Sequence, residues 1–240
     1  MAEVRVSIRA MIGLAYRDTM RVLSTMPQLL LIGLIMSIAF ALGPNLVLNE
    51  KPESSFASLL VAFASIAVWS LLFTPFLIAI HRFIIRDEVT TDYVIDPREP
   101  RFQRFFAFSM LLFALVYVPA LVMLQEGLLA AIHPLAILAI LMFVLVMLFV
   151  LPLRMSILFP AIAVDAPGAT LANAIHDTKG HAFGILVIFF VASLPFMLAD
   201  VLWYFTANSG GLIKLAGHML TSCINLFSTI MFATIASRLF

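Results

Sequence analysis

The chain has 240 residues, of which 63% are hydrophobic and 11% charged, with a mean hydropathy of +1.12. Soluble domains carry about 25% charge, so this composition excludes a water-facing globular domain as the main body. A formal net charge of +1 argues against a nucleic-acid partner, and the single cysteine, Cys223, excludes an intrachain disulfide and a paired-cysteine metal or redox site.

In chain order, residues 7–24 predict an amphipathic helix. Ile8, Met11, Ile12, Ala15, Thr19 and Val22 fall near one face at helical spacing, and Arg9, Arg17, Asp18 and Arg21 fall mostly on the other. Such a helix is expected to lie in the headgroup plane of a membrane. Six apolar segments follow, at about 26–48, 55–80, 105–124, 134–153, 182–205 and 215–238. Each reaches the roughly 20 residues that a membrane-crossing helix needs. The first contains Ala39-Phe40-Ala41, which resembles a signal cleavage site. Its apolar stretch is too long for a signal peptide, so it is expected to be retained. A second short surface helix is expected after Pro167-Gly168, with Leu171, Ala174, Ile175 and Thr178 on one face and Gly180 as its C-terminal cap. The fragments Ala15-Tyr16-Arg17-Asp18-Thr19 and Ala174-Ile175-His176-Asp177-Thr178 are alike, and each precedes a pair of spans. They hint at a repeated unit of one surface helix and two spans.

The expected architecture is therefore all-α: a single polytopic membrane helix bundle over residues 1–240, with six transmembrane helices plus interfacial amphipathic helices. Basic residues give its orientation. Arg5, Arg9, Arg17, Arg21, Arg82, Arg86, Arg98, Arg101, Arg104, Arg154, Lys179 and Arg238 lie in one set of alternate connections, against Lys51 and Lys214 in the other. Cytoplasmic connections carry the excess of Lys and Arg, so both termini are expected in the cytoplasm, with Trp203 and Tyr204 at the outer interface.

The stretch 81–104 is the most polar. Arg82, Arg86, Arg98, Arg101 and Arg104 are balanced by Asp87, Glu88, Asp92, Asp96 and Glu99. Balanced charge disfavours a simple anionic-lipid patch, and no EF-hand spacing is present. The stretch reads as an internally salt-bridged loop, or as a docking surface for a cytoplasmic partner carried by Arg82, Arg86, Asp87, Glu88, Arg98 and Arg101.

Inside the spans, Asp200 and His218 lie at equal distance from the last turn, so an antiparallel hairpin allows them to pair. His218, Thr221, Ser222, Asn225, Ser228 and Thr229 recur at three- and four-residue steps, which places them on one stripe. Ser193 and Asp200 share a face seven residues apart. The seam of Ser193, Asp200, His218, Ser222 and Asn225 reads as interhelical hydrogen bonding, worth about 0.6 kcal/mol per contact in membranes, or as a water-lined path or substrate site, or as an oligomer contact. Arg154 follows the fourth span and reads as a residue that snorkels or binds helix-end carbonyls, or as a contact for a lipid phosphate. His81, His133, His176 and His181 read as interfacial. The chain carries no Walker A loop, HExxH, GxSxG or GxGxxG, so no catalytic residue, cofactor or metal ligand is expected.

Two segments carry a family likeness: His81-Arg82-Phe83-Ile84-Ile85-Arg86-Asp87-Glu88, and Arg154 to Asp165 (RMSILFPAIAVD) with Leu171-Ala172-Asn173-Ala174 and Asp177-Thr178-Lys179-Gly180 after it. They resemble a large group of uncharacterised six-helix bacterial inner-membrane proteins. A similar membrane region is fused to the catalytic domain in some glycerophosphodiester phosphodiesterases. The resemblance implies an inner-membrane location, a six-helix fold, and contact with phospholipid or other membrane-protein subunits. The chemistry of the fused proteins belongs to a separate soluble domain that is not expected here, so no catalytic residue is carried over. Three readings follow. The first is a non-enzymatic accessory, scaffold or assembly component of a membrane complex. The second is a small transporter or channel-like protein using the Asp200/His218 seam. The third is a lipid-handling protein centred on Arg154.

Overall fold

The computed structural model describes residues 8–47, 55–123, 153–207 and 210–240, without the side chains of 42–47, 55–59, 62, 116–123, 198–200, 202–203 and 207. The described residues form α1 (Ile8–Thr25), α2 (Pro27–Val47), α3 (Ser55–Arg86), α4 (Pro100–Met123), α5 (Leu158–Ala163), α6 (Leu171–Asp177), α7 (Ala182–Ala207) and α8 (Gly211–Leu239), with no strand among them. The fold is all-helical, as expected. Phe63–Arg86 and Gly211–Leu239 are long and apolar enough to cross a membrane. Ile8–Thr25 with Pro27–Ala41, and Leu171–Asp177 with Ala182–Met197, qualify only as pairs bent by 97° and 92°, which makes two to four candidate spans among the described residues. The protein is thus a membrane protein by the length and composition of its helices. The segment expected to span at 134–153, apart from Leu153, and His133 lie outside the described residues.

Both bends have local causes. At the first, Pro27 opens α2 where its missing N–H costs nothing, and it disfavours a helical Met26 before it. Met26 still joins the two helices: its N–H donates to Val22 O at 3.0 Å, and its carbonyl accepts from Leu30 N at 3.1 Å. At the second, Gly180 takes φ +86°, the left-handed conformation that ends helices. The two like fragments sit just before these bends, with Ala15, Thr19, Ala174 and Thr178 all buried. Their acids differ, since Asp18 is buried and Asp177 is exposed.

The helix α3 runs past its expected end near 80 to Arg86, because Phe83 and Ile84 remain buried on its inner face. Asp87, at φ +55°, then stops it. Around α3 lie α2 and α8 on one side and α4 and α5 on the other. Val22, Leu29, Phe73, Phe76, Leu226 and Ile230 form the core of the first group. Ile78, Phe105, Phe108, Met155, Leu158 and Ile162 form that of the second.

The helix α1 packs on α7 and α8, where Met11 and Ala15 meet Ile188, Ala192, Met231 and Ile235. Its inner face therefore covers protein, and the expected division of its faces fails at one residue. Asp18, assigned to the polar face, is fully buried. Arg238 supplies the reason: its Nε and Nη2 donate to Asp18 Oδ2 at 2.6 and 2.5 Å. His81, expected to be interfacial, is drawn inward in the same way. It is buried, with Nδ1 2.7 Å from Ser237 Oγ, so the ends of α3 and α8 are tied together.

Candidate functional site: an intramembrane cavity and a clamped basic end

The polar stripe of α8 opens onto a cavity of about 430 Å³ between α2, α3 and α8. His218, Thr221, Ser222, Asn225 and Thr229 line one wall, and Ser37, Phe40 and Trp69 line the other. The stripe forms because residues three and four apart share a helix face. Its hydroxyls mostly bond backward along their own helices. Ser222 donates to His218 O at 2.8 Å, Thr229 to Asn225 O at 2.8 Å, and Ser37 to Gly33 O at 2.8 Å. Two groups at the wall differ. His218 Nε2 and Thr221 Oγ1 are buried, with no hydrogen-bond partner among the described residues. An unsatisfied buried polar group costs about 1–3 kcal/mol, and in proteins such groups are commonly met by water or a bound molecule.

The position of the cavity along the bundle follows from helix rise. Thr229 lies nine residues before Arg238, about 14 Å along the axis, and His218 lies eleven residues further, about 16 Å more. For a helix crossing a hydrocarbon layer of about 30 Å, the lining extends from near mid-bilayer to the end away from Arg238. Of the buried cluster of Phe73, Phe76, Leu226 and Ile230 beside it, only Leu226 is among the lining residues. Aromatic contacts run from the wall into this cluster: Phe40 on Trp69 at 4.8 Å between centroids, Trp69 stacked on Phe73 at 3.6 Å, and Phe73 edge-on to Phe76 at 5.4 Å. Gly33 lets α2 approach this cluster, since a Cβ there would come within 2.8 Å of the Phe76 ring.

Three seam residues chosen from sequence, His218, Ser222 and Asn225, are thus brought to one cavity. Ser193 is not among its lining residues, and its hydroxyl donates to Phe190 O at 2.7 Å within α7. Asp200 belongs to α7, but its side chain lies outside the described residues, and so does the expected pairing with His218. Trp203 stands likewise, whereas Tyr204 is exposed.

At the opposite end the charges are drawn inward. Arg82 Nε donates to Glu88 Oε2 at 2.7 Å, and its Nη1 reaches Ala163 O at 3.4 Å. Arg86 donates to Val164 O and lies 3.7 Å from Glu88. Arg101 grips Asp165 with Nε at 3.0 Å and Nη2 at 2.5 Å, and also meets Glu99 at 3.3 Å. Asp87 accepts from Arg21 at 2.9 Å. Of the residues read as a docking loop, Arg82, Arg86, Asp87, Glu88 and Arg101 therefore have partners within the chain. Arg98 keeps an exposed guanidinium, while its backbone N–H donates to Asp96 Oδ1 at 2.9 Å. Beneath the loop, burial pushes the Tyr93 phenol up to about 12, so it stays protonated and donates to Met36 Sδ at 3.7 Å.

Arg154 is turned to the protein. Its Nε donates to Thr178 Oγ1 at 3.1 Å and its Nη2 to Ile175 O at 2.7 Å, at the C-terminal end of α6. Ile175 O is a carbonyl of the last turn, where the backbone ladder runs out, and it also accepts from Thr178 Oγ1 at 3.2 Å. Arg154→Ala is expected to loosen α6 by about 1.5–3 kcal/mol, the usual worth of hydrogen bonds to a charged donor. Arg154→Lys should recover little, because an ammonium lacks the fork that spans both acceptors. Amide exchange across 171–178, faster by tenfold or more in Arg154→Ala, is the measurement; unchanged exchange would place the strength of α6 elsewhere.

Three residues escaped the sequence reading. Asp18 carried a signal, because Met11, Ala15, Asp18 and Val22 follow the i, i+4, i+7, i+11 rule. His81 sits between Ile80 and the buried pair Phe83 and Ile84. Asp165 had no signal of its own, since its role as the partner of Arg101 depends on a left-handed turn at φ +51°. No family model matches the chain, and neither does any curated protein or solved structure.

Proposed function

We propose that this chain is a non-enzymatic, six-span protein of a bacterial inner membrane, acting as a small transporter or channel-like protein through the cavity beside α8. The observation that carries this reading is the cavity itself: a polar stripe on a membrane-length helix borders open space and two unsatisfied polar atoms. Polar residues in a spanning helix usually pack against a partner helix or line a water-filled path. Both termini are read as cytoplasmic. In support, Arg21, Arg82, Arg86, Arg101 and Arg238 are joined through shared acids and packed helix ends at one end of the bundle. The two segments that carry the resemblance to six-helix inner-membrane proteins touch through Arg82, Arg86 and Asp165.

The accessory or scaffold reading stands second. It is favoured by Arg98, Arg104, Asp92 and Asp96, which remain exposed on the charged rim. The lipid-phosphate role of Arg154 is weaker, because its guanidinium already serves α6. Solute flux into proteoliposomes separates the first two. Entry of a small neutral solute well above protein-free vesicles, abolished by Ser222→Leu, supports the transporter. Flux at background, together with a stoichiometric protein partner captured from nanodiscs, supports the accessory component instead.

A further inference from the structure

We infer that the cavity binds a neutral, hydroxyl-bearing group, either a free polyol or the polyol head of a lipid, admitted from the end of the bundle away from Arg238; this rests on the transporter reading of the α8 seam. The chemistry of the wall selects the class. Ser37, Ser222 and Thr229 have each committed their proton to a carbonyl on their own helix, so they face the cavity as acceptors. Asn225 adds a carbonyl oxygen and an amide donor, and Thr221 an uncommitted hydroxyl. A wall rich in neutral acceptors favours a ligand that brings its own donors.

Charged ligands fit less well. An anion would meet mainly lone pairs, and no Lys or Arg is among the lining residues. A cation would find no carboxylate among them. Nor is the Trp69 ring free to receive an ammonium group on both faces, since Phe73 is stacked on it at 3.6 Å. The volume of about 430 Å³ falls within the usual range for small-molecule pockets. Direction of entry follows from depth: Thr229, the α8 lining residue nearest Arg238, lies near mid-bilayer, and His218 lies at the far end.

Cysteine accessibility tests each part. In a Cys223→Ser background, Asn225→Cys, Thr229→Cys and, from the α2 side, Ser37→Cys are exposed to a membrane-impermeant charged thiol reagent. Ile230→Cys, at a fully buried position next to the lining residue Thr229, is the dry control. The expected result is labelling of the first three from the side opposite Arg238, with Ile230→Cys at least tenfold slower. Glycerol or sorbitol is expected to slow labelling threefold or more, while choline and phosphate at matched osmolarity change it less than twofold. Protection by glycerol in vesicles without phosphatidylglycerol assigns the free solute. Protection that requires phosphatidylglycerol assigns the lipid head. Protection by choline or phosphate alone overturns the ligand class and leaves the wet seam standing. Labelling only from the Arg238 side overturns the direction of entry. No labelling of any of the three positions, in variants that purify and melt like the parent, means a dry cavity, and the transporter reading falls with it.

Discussion

Arg238→Ala is expected to destabilise the fold by about 3 kcal/mol, the lower end of the range for breaking a buried ion pair. Asp18 has no solvent-exposed side-chain surface, and Arg238 gives it two charge-assisted hydrogen bonds at 2.6 and 2.5 Å. Without that guanidinium the carboxylate keeps only Arg21, at 3.7 Å from Oδ1, in exchange for its lost hydration. The cost arises from the stranded charge rather than from the attraction itself. Asp18→Asn should therefore cost less than Arg238→Ala. Adding Asp18→Leu to Arg238→Met should recover most of the loss, because apolar replacements of a buried pair are often neutral or stabilising. Unfolding in mixed micelles measures these values, and a double-mutant cycle isolates the pair. Strict additivity of the two single changes would mean that the pair adds nothing and that α1 is held by its apolar packing on α7 and α8 together with the Thr19 contacts. The pair joins the first described helix to the last, so its loss should also free α1 from α8.

The parts of this fold that were legible in the sequence are those set by one-dimensional periodicity. Long apolar runs predict α2, α3, α7 and α8 because a helix satisfies every backbone group within itself, which a lipid environment demands. The stripe from His218 to Thr229 was readable for the same reason: spacing alone fixes which side chains share a face. What the stripe faces was not readable. The obvious neighbour was α7, one turn away in sequence, yet the cavity wall is completed by Ser37, Phe40 and Trp69 from α2 and α3. That depends on which helices approach, and approach depends on small residues such as Gly33 meeting large rings such as Phe76. Charge pairing was equally opaque. Asp87 and Glu88 are adjacent but serve different arginines, Arg21 and Arg82, because the chain turns through φ +55° at Asp87. Net balance in the loop was visible, whereas the partners across 64 residues, such as Arg101 and Asp165, required the fold.

Gly217→Ala is expected to destabilise the α7–α8 hairpin, against its effect on helix propensity. An interior Gly→Ala change gains about 1 kcal/mol where space is open. At Gly217 it is not open: an added Cβ would overlap the side chain of Thr206 as far back as its own Cβ. A clash with Oγ1 or Cγ2 is relieved by rotation, but a clash with Cβ moves only with the backbone. Close approach of this kind is how helices associate in lipid, where small residues replace the hydrophobic drive available in water. Overpacking costs about 1–3 kcal/mol or somewhat more, so a net loss of about 1–2 kcal/mol is expected after the propensity gain. Gly184→Ala on α7 is the matched control, because nothing lies within 4 Å of a Cβ there, and it should stabilise. Opposite signs at two helical glycines of the same hairpin locate the effect in packing. The double change makes the distinction finer. Thr206→Ala should rescue Gly217→Ala only in part, since the alanine Cβ still obstructs, and Thr206→Gly should rescue it further. If Gly217→Ala stabilises as Gly184→Ala does, α7 and α8 stand further apart than this contact requires. His218, the next residue on α8 and part of the cavity wall, would then be held by the stripe alone.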